Sequence, residues 1–225
     1  VKREVSPLEA ARQKCDAAFN EFGHDLIISS EGSFGSSYGF ITIDHELLLL
    51  KDYKNNLEII TEFSSYETNF NQQKIKTEDE LNQFLTQVKF PSHAVIVKSS
   101  SGELFKGIND VEVLRKIALD HFDSNHMFEV ETDMRAMFNP SRMSVIEKAA
   151  EKLIGKMNAL CPDCQTPGFD VLERKSGLPC ELCLQPTKSI KEDVYKCKVC
   201  EHMEIKPFPN EKRFEDPMYC DFCNP

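Results

Sequence analysis

The sequence predicts an α/β protein, a mixed sheet flanked by helices, followed by a small cysteine-rich module. Two observations support this fold class. Segments with helical periodicity alternate with short apolar segments typical of strands over the first two thirds of the chain. Eight of the nine cysteines then fall in the last 65 residues, as four CxxC pairs. We therefore expect an α/β domain over residues 1–158 and a cysteine-rich module over residues 159–225.

The first elements are a helix and several strands. Ser6 can cap a helix, Pro7 suits its first position, Glu9 completes a capping box, and Gly23 can end it. The segment DLIISS then predicts a short buried strand that stops at the small, flexible EGSFGSSYG. Strands are expected in GFITID, HELLLLKDY and LEIITEFS, and the second of these is apolar enough for a central position in a sheet.

Helices and strands alternate in the second half of this domain. Thr77 and Glu80 form a second capping box at the start of TEDELNQFLTQV. A strand in HAVIVKS, a hairpin or loop in SGELFKGI, a helix in DVEVLRKIALDHF and a last strand in MFEVE follow. Asn139 and Pro140 are a helix start signal, and we expect a long helix from there to about Leu160.

Length and composition exclude several classes of protein. The 225 residues allow one hydrophobic core and a small appendage. No apolar run approaches the ~18 residues of a membrane helix, and the N-terminus lacks the apolar core of a signal peptide, so we expect a cytoplasmic protein without membrane contact. A net charge of -10 disfavours nucleic acid as a partner. The chain begins VKREVSP, without Met, so we expect residues upstream that could carry part of a site.

The cysteine pairs have the spacing of metal-binding knuckles. Two intervening residues let both sulfurs of a pair reach one tetrahedral ion, and gaps of 15 and 19 residues separate the first pair from the second and the third from the fourth. The sequence thus predicts a zinc-ribbon-like module with two structural zinc ions, in which consecutive pairs share an ion. The expected ligands are Cys161, Cys164, Cys180, Cys183, Cys197, Cys200, Cys220 and Cys223.

Disulfide bonds and redox chemistry fit these cysteines poorly. Disulfides suit secreted domains, and a thioredoxin-like redox pair occurs once rather than four times. Iron-sulfur binding and a cross-braced arrangement, which joins the first pair to the third, stay open. Four thiolates leave zinc no open position, so the role should be structural. From Lys156 onward, 10 Lys and Arg stand against 12 Asp and Glu, which favours a protein partner or simple structural support.

A polar stretch follows the first predicted strand. In ISSEGSFGSSYG, Glu31 offers a carboxylate for a metal ion, and Gly32 and Ser33 offer backbone amides for phosphate. Lys14 on the opening helix is a further candidate phosphate ligand. The plainer interpretations are a tight turn and a solvated lysine.

A second polar stretch, ETDMRAMFNPSR, follows the last predicted strand. Asp133 offers another carboxylate, Arg135 and Arg142 can bind anions, and Asn139 marks a helix start. If the strands are parallel, both stretches should lie at one crevice beyond the strand ends. The plainer interpretation is a capped, salt-bridged helix entry. Asn69 and His93 are weaker candidates, and Cys15 is expected to be a core residue.

Several motifs together resemble a bacterial family that is catalogued only as a domain of unknown function with a cysteine-rich tail. They are SEGSFG, ELLLL, ETNF, FPSH, TDMRAMFNPSRM, CPDCQTPGF, GLPCELC and DPMYCDFCNP. The resemblance spans nearly the whole chain. It implies an α/β domain with a zinc-ribbon-like end and supplies no established catalytic residues.

A second resemblance covers only Ser6 to about Asp44. A helix with ARxK, an apolar strand and an acidic, glycine-containing loop are reminiscent of house-cleaning nucleoside triphosphate pyrophosphatases. In that family a helix lysine and an acidic loop serve triphosphate and Mg²⁺, which would assign those roles to Lys14 and Glu31. The family's N-terminal phosphate-binding strand is absent from this sequence.

Two main functions are therefore expected. The first is a binding or scaffold protein whose α/β domain recognises a small-molecule ligand or a protein, with a zinc-stabilised tail. The alternative is an Mg²⁺-dependent hydrolase of nucleotides or other phosphorylated small molecules. In it, Glu31 and Asp133 hold the metal, while Lys14, Arg135 and Arg142 hold phosphate. Nucleic-acid binding through the cysteine module is a third hypothesis.

Overall fold

A computed structural model of the chain describes residues 5–37, 41–123 and 127–225, and in these ranges α-helices and β-strands alternate. The helices are α1 Pro7–Phe22, α2 Glu78–Gln87, α3 Val111–Asp123 and α4 Pro140–Asn158. The strands are β1 Leu26–Ser37, β2 Ile41–Asp52, β3 Leu57–Ser65, β4 Gln72–Ile75, β5 Val95–Lys98, β6 Leu104–Ile108, β7 Phe128–Thr132, β8 Asp170–Ser176, β9 Ile190–Lys196 and β10 Met203–Pro207. The predicted α/β class is confirmed. The opening VKRE, and Gly39 and Phe40 of the predicted strand GFITID, lie outside the described residues.

The chain divides into two compact units. The first contains Val1–Leu49 and Ile60–Glu151, and the second contains Leu50–Ile59 and Lys152–Pro225. The second unit thus combines the β2–β3 turn with the cysteine-rich end of the chain. This division falls within α4, whereas the predicted domain boundary between residues 158 and 159 stays a prediction.

The first sheet has the strand order β1-β2-β3. Helix α1 precedes it and begins as predicted, with the Ser6 side chain accepting a hydrogen bond from the Glu9 amide and Gly23 ending the helix at φ 68°. The prediction that EGSFGSSYG is a flexible loop is wrong for its described part, because β1 continues to Ser37. Earlier on β1, the Ser29 hydroxyl donates to the carbonyl oxygen of Ala11.

The second sheet has the order β4-β7-β5-β6, and all its neighbouring strands are antiparallel. The parallel arrangement on which the predicted crevice depended is therefore absent from this sheet, in which each strand end lies beside the start of its neighbour. Helix α2 begins with the predicted capping box of Thr77 and Glu80. Apolar side chains from both helices and strands form the core of this part of the unit: Ile75, Leu81, Phe84, Val88, Val95, Val97, Ile108, Leu114, Ala118, Phe128 and Val130.

The second unit contains the antiparallel sheet β10-β9-β8. One core cluster of this unit contains Cys161, Phe169 and Cys197, with Tyr195 and Cys200 packed against it. Apolar side chains elsewhere in the unit are also buried: Leu50, Leu57, Ile59, Leu178 and Val194. The Phe169 and Tyr195 rings lie 5.6 Å apart. The β2–β3 turn joins this unit through a hydrogen bond from Lys198 to the carbonyl oxygen of Glu58.

Candidate metal centres and a buried carboxylate cluster

The eight C-terminal cysteines form two four-sulfur groups. In each group all four sulfur atoms lie within 4.8 Å of one another. The first group joins Cys161 and Cys164 to Cys197 and Cys200, and the second joins Cys180 and Cys183 to Cys220 and Cys223. The predicted pairing of consecutive knuckles is therefore wrong, and the cross-braced alternative describes the structure. All nine cysteines of the chain are free of disulfide bonds.

Strand pairing explains the interleaved arrangement. Because β8 and β9 are antiparallel, Asp170 at the start of β8 lies opposite Lys196 at the end of β9. The first knuckle, which precedes β8, therefore meets the third knuckle, which follows β9. The second knuckle meets the fourth through a bridge between Cys180 and Glu215, where the Glu181 amide donates to the Glu215 carbonyl at 2.9 Å.

The first three knuckles use the same turn. The amides of Cys161, Cys180 and Cys197 each donate at 2.9 Å to the carbonyl of the residue five positions later. Gln165, Leu184 and Glu201 have φ values of 60°, 62° and 65° at equivalent positions just after the second cysteine. One such carbonyl belongs to His202, whose ring lies 6.0 Å from that of Phe169. His202 therefore closes a turn and packs on the core, and it is not among the four-sulfur ligands.

Among the thiols of the two four-sulfur groups, some pKa values lie below the ordinary value and others lie above it. Hydrogen bonding with Thr166 lowers the pKa of Cys164 to about 6, and a backbone hydrogen bond from Cys183 lowers that of Cys180 to about 7. Hydrogen bonds with the other sulfurs, Cys183 first, raise the pKa of Cys223 to about 12. Such closely spaced sulfurs favour a bound cation over four protons, since a metal ion neutralises several thiolates together. A four-sulfur donor set suits Zn²⁺ and leaves it no open position.

In the first unit, two of the predicted site residues form an ion pair. Lys14 Nζ lies 2.7 Å from Glu31 Oε1, and it also donates to the carbonyl oxygen of Ser30 at 3.0 Å. Glu31 is buried, whereas Lys14 is largely exposed. Ser33, two residues further along β1, is half-buried. A role for these residues in metal or phosphate binding stays a prediction.

Asp133 and Arg135 form a second pair. Arg135 donates to both carboxylate oxygens of Asp133, with distances of 2.9 Å from Nε and 2.6 Å from Nη2, and the Gly107 amide adds a third bond at 2.9 Å. Burial raises the pKa of Asp133, but these hydrogen bonds outweigh it and hold the pKa below its usual value. The Arg135 guanidinium also lies 4.5 Å from the centre of the Phe138 ring.

Arg142 is the centre of a third polar cluster. Its Nε donates to Glu46 Oε1 at 2.6 Å and its Nη2 to Glu46 Oε2 at 3.3 Å, while Nη1 donates to the Met134 carbonyl. The Arg142 amide donates to Asn139 Oδ1, so Asn139 caps α4 as predicted. Asn139 Nδ2 in turn donates to Asn69 Oδ1 at 2.8 Å.

Gly32 lies directly against this cluster. A Cβ atom at Gly32 would collide with the Arg142 guanidinium and the Glu46 carboxylate. The structure therefore brings together three of the predicted ligand-binding residues, Gly32, Asn139 and Arg142. It pairs Lys14 with Glu31 and Asp133 with Arg135.

Two buried acids were not predicted from the sequence. Asp44 and Glu46 on β2 are 1% and 0% exposed. Burial, and next the charge of Glu46, raise the pKa of Asp44 to about 7. The available signal was the spacing: two carboxylates two positions apart share one face of a strand that continues into four leucines. Polar groups in such a strand need partners from elsewhere in the fold.

Two weaker candidates have structural partners. His93 is buried, with its ring nitrogens 2.9 Å from the hydroxyl groups of Ser92 and Ser141. Burial lowers the pKa of His93. Cys15 is fully buried and its thiol lies 3.2 Å from the Ser29 hydroxyl, so the core placement predicted for it is confirmed.

Fold and sites together define an α/β protein with two four-cysteine groups that could hold metal ions. The chain belongs to the family described as domain of unknown function (DUF6671), whose model matches residues 14–225. No curated protein and no solved structure matches the chain. Among the described residues, no helix is both long enough and apolar enough to cross a membrane.

Proposed function

We propose that this chain is a zinc-stabilised binding protein, in which two structural zinc ions hold the cysteine-rich unit and the first unit recognises a ligand or a protein partner. The observation that supports the proposal is the pair of closed four-sulfur groups. Their sulfur donors match the preference of Zn²⁺, and four protein ligands leave no position for a reacting water. The metal would therefore stabilise the module rather than catalyse a reaction.

The cysteines within the core of the second unit support a structural role for the metal. Three of the five residues in its described core cluster are cysteines of one four-sulfur group. Because these cysteines lie within the core, binding of a metal ion would fix their packing and contribute to the free energy of folding. We propose a cytoplasmic location, because a reducing compartment keeps cysteines available as metal ligands.

The surface around the second four-sulfur group favours a protein partner. Large apolar side chains flank its cysteines and are more than half exposed: Leu182, Leu184, Met218, Tyr219 and Phe222. A concentration of exposed apolar side chains is typical of a protein interaction surface. The net charge of -10 disfavours nucleic acid as the partner.

Metal analysis of the purified full-length protein tests the proposal. We expect two equivalents of zinc per chain, and one equivalent after either Cys161→Ser or Cys180→Ser, because each variant removes a ligand from a different group. Ser6→Ala, which lies outside the cysteine module, is the control and should keep both equivalents. Less than one equivalent of zinc in the parent protein, or iron in its place, would overturn the zinc assignment.

A second candidate is the Mg²⁺-dependent hydrolysis of nucleotides or other phosphorylated small molecules. Its basis is that each of the predicted metal ligands, Glu31 and Asp133, lies beside a predicted phosphate-binding cation. A screen of nucleotides with Mg²⁺ and the zinc-loaded protein tests this function. Turnover that is lost in Glu31→Gln would support it, and the absence of turnover with every substrate would exclude it for that panel.

A further inference from the structure

Asp44 and Glu46 form a buried carboxylate pair on β2. They are two positions apart, so both side chains project from the same face of the strand. Their carboxyl groups are close enough to hydrogen-bond when one of them carries a proton. Neither side chain has appreciable contact with solvent.

The charge of this pair is only partly balanced by the described residues. Arg142 is the cation that contacts Glu46, and its third nitrogen is occupied by the Met134 carbonyl. Two carboxylates and one guanidinium leave one negative charge in excess when both acids are ionised. Burying a charge without compensation is costly, because the interior cannot replace the lost hydration.

Asp44 also lacks a hydrogen-bond donor within the described part of the chain. Both of its carboxylate oxygens are fully buried, and neither accepts a hydrogen bond from a described residue. Buried polar atoms in folded proteins nearly always have a partner, so an orphaned carboxylate indicates a missing ion, water or proton. The orphaned group lies beside a second carboxylate that Arg142 already holds in a fixed orientation.

We propose that Asp44 and Glu46 are ligands of a divalent cation of the Mg²⁺ or Mn²⁺ type. Carboxylate oxygens are the donors that these hard cations prefer, in contrast to the sulfur donors of the cysteine groups. The cation would balance the excess charge and give both Asp44 oxygens a partner. Arg142 is the positioning residue that orients Glu46, and Gly32 leaves the space that their approach requires. The site does not depend on any hydrolytic activity.

A proton is the competing explanation. The pKa of Asp44 is raised to about 7, so near neutrality a proton competes with a cation for the pair. Arg142 is the member of the cluster that retains solvent contact, with 16% of its side chain exposed.

Binding of Mn²⁺ to the zinc-loaded, full-length protein tests the proposal. Titration is followed by the loss of the electron paramagnetic resonance signal of free Mn²⁺ at pH 8, where the proton competes less. We expect saturable binding of one Mn²⁺ per chain, displaced by Mg²⁺. Asp44→Asn and Glu46→Gln should each weaken the affinity about tenfold or more, and Asp25→Asn, an exposed acid of the same unit, should leave it unchanged.

Each outcome bears on the proposal. No saturable Mn²⁺ binding by the parent protein would overturn it and assign Asp44 to proton sharing with Glu46. Equal affinity in folded Asp44→Asn would place the ion elsewhere and overturn it as well. If both variants fail to fold, ¹H NMR of the parent protein decides. The signals of methyl and amide groups near Gly32 and Asp44 should broaden first as Mn²⁺ is added. Broadening elsewhere would contradict the site.

Discussion

At the residue scale, the close approach of Gly32 to Glu46 and Arg142 gives the sharpest prediction. Gly32→Ala should destabilise the protein by about 1–3 kcal/mol, because the added methyl group displaces a buried ion pair. Gly35→Ala is a matched control on the same strand, since no atom of the described residues lies within 4 Å of a Cβ at that position. Urea unfolding of both variants measures the difference. Equal stability of the two variants would contradict the packing at Gly32.

The buried Arg142–Glu46 pair gives a second prediction. Arg142→Met should lower the free energy of unfolding by about 3–5 kcal/mol, because it leaves the Glu46 carboxylate buried without its cation. Arg115→Met removes an exposed pair with Glu112 and should change stability by less than about 1 kcal/mol. The urea midpoints of the two variants provide the test. A small loss of stability in Arg142→Met would show that another group neutralises the charge of Glu46.

Asp44 should make stability fall as pH rises toward 7. Its pKa is about 7 in the folded state and near 3.8 in the unfolded chain, so between these values the folded state holds a proton that the unfolded state lacks. That contribution to stability is complete below pH 3.8 and is lost as pH rises through 7. Without added divalent cations, we expect a decline of up to about 1.4 kcal/mol per pH unit between about pH 5.5 and 7.

Asp44→Asn separates this effect from other titrations. The amide does not titrate, so the decline towards neutral pH should flatten in the variant, as measured by urea unfolding at several pH values. A parent protein whose stability rises over this interval, or an unchanged slope in Asp44→Asn, would contradict the raised pKa.

The same residues show how much of the candidate site could be predicted from the sequence. The eight cysteines were identifiable because CxxC spacing places two sulfurs near one ion whatever the surrounding fold. Asn139 as a helix cap was also a local property. The cluster of Asp44, Glu46 and Arg142 was not identifiable. Arg142 lies 96 positions from Glu46 in the sequence, and only the packing of the fold brings the two side chains together.

At the element scale, local signals predicted the helix starts and the apolar strands β3, β5 and β7, and missed the polar strands. The described part of GFITID and most of HELLLLKDY form one strand, β2, rather than two. The capping residues Ser6 and Thr77 determine where α1 and α2 begin, since their hydrogen bonds join residues three positions apart. Strands β4 and β8 are largely exposed and polar, so no apolar alternation marked them. Their structure depends on pairing with β7 and β9, which a local pattern does not reveal.

The interleaving of the four knuckles is testable through thiol protection. Loss of the Cys161 ligand by Cys161→Ser should make Cys197 and Cys200 reactive toward a maleimide, because these cysteines share its group. Cys180 and Cys183 should stay protected. Mass spectrometry of the labelled peptides reports each site.

Cys220→Ser is the matched variant for the second group. It should expose Cys180 and Cys183 and leave Cys197 and Cys200 protected. If Cys161→Ser exposed Cys180 instead, consecutive knuckles would share an ion in solution, and the interleaved pairing would be wrong.

At the scale of the whole molecule, the two units differ in what stabilises them. The first unit has an extensive apolar cluster that includes the fully buried Val95, Val97 and Val130. The second has a core cluster that consists mainly of cysteines. Stability should therefore depend on metal in the second unit and on apolar packing in the first.

Removal of the metal should therefore unfold the second unit before the first. After chelation, amide hydrogen exchange should accelerate by at least about tenfold in β8 and β9, while amides of β5 and β7 keep their protection. Hydrogen exchange with mass spectrometry measures both regions in one sample, and return of zinc should restore protection in β9. Equal loss of protection in β5 and β7 would mean that the first unit also depends on the metal. Unchanged exchange in β8 and β9, with metal loss verified, would show that the cysteine groups do not stabilise the fold.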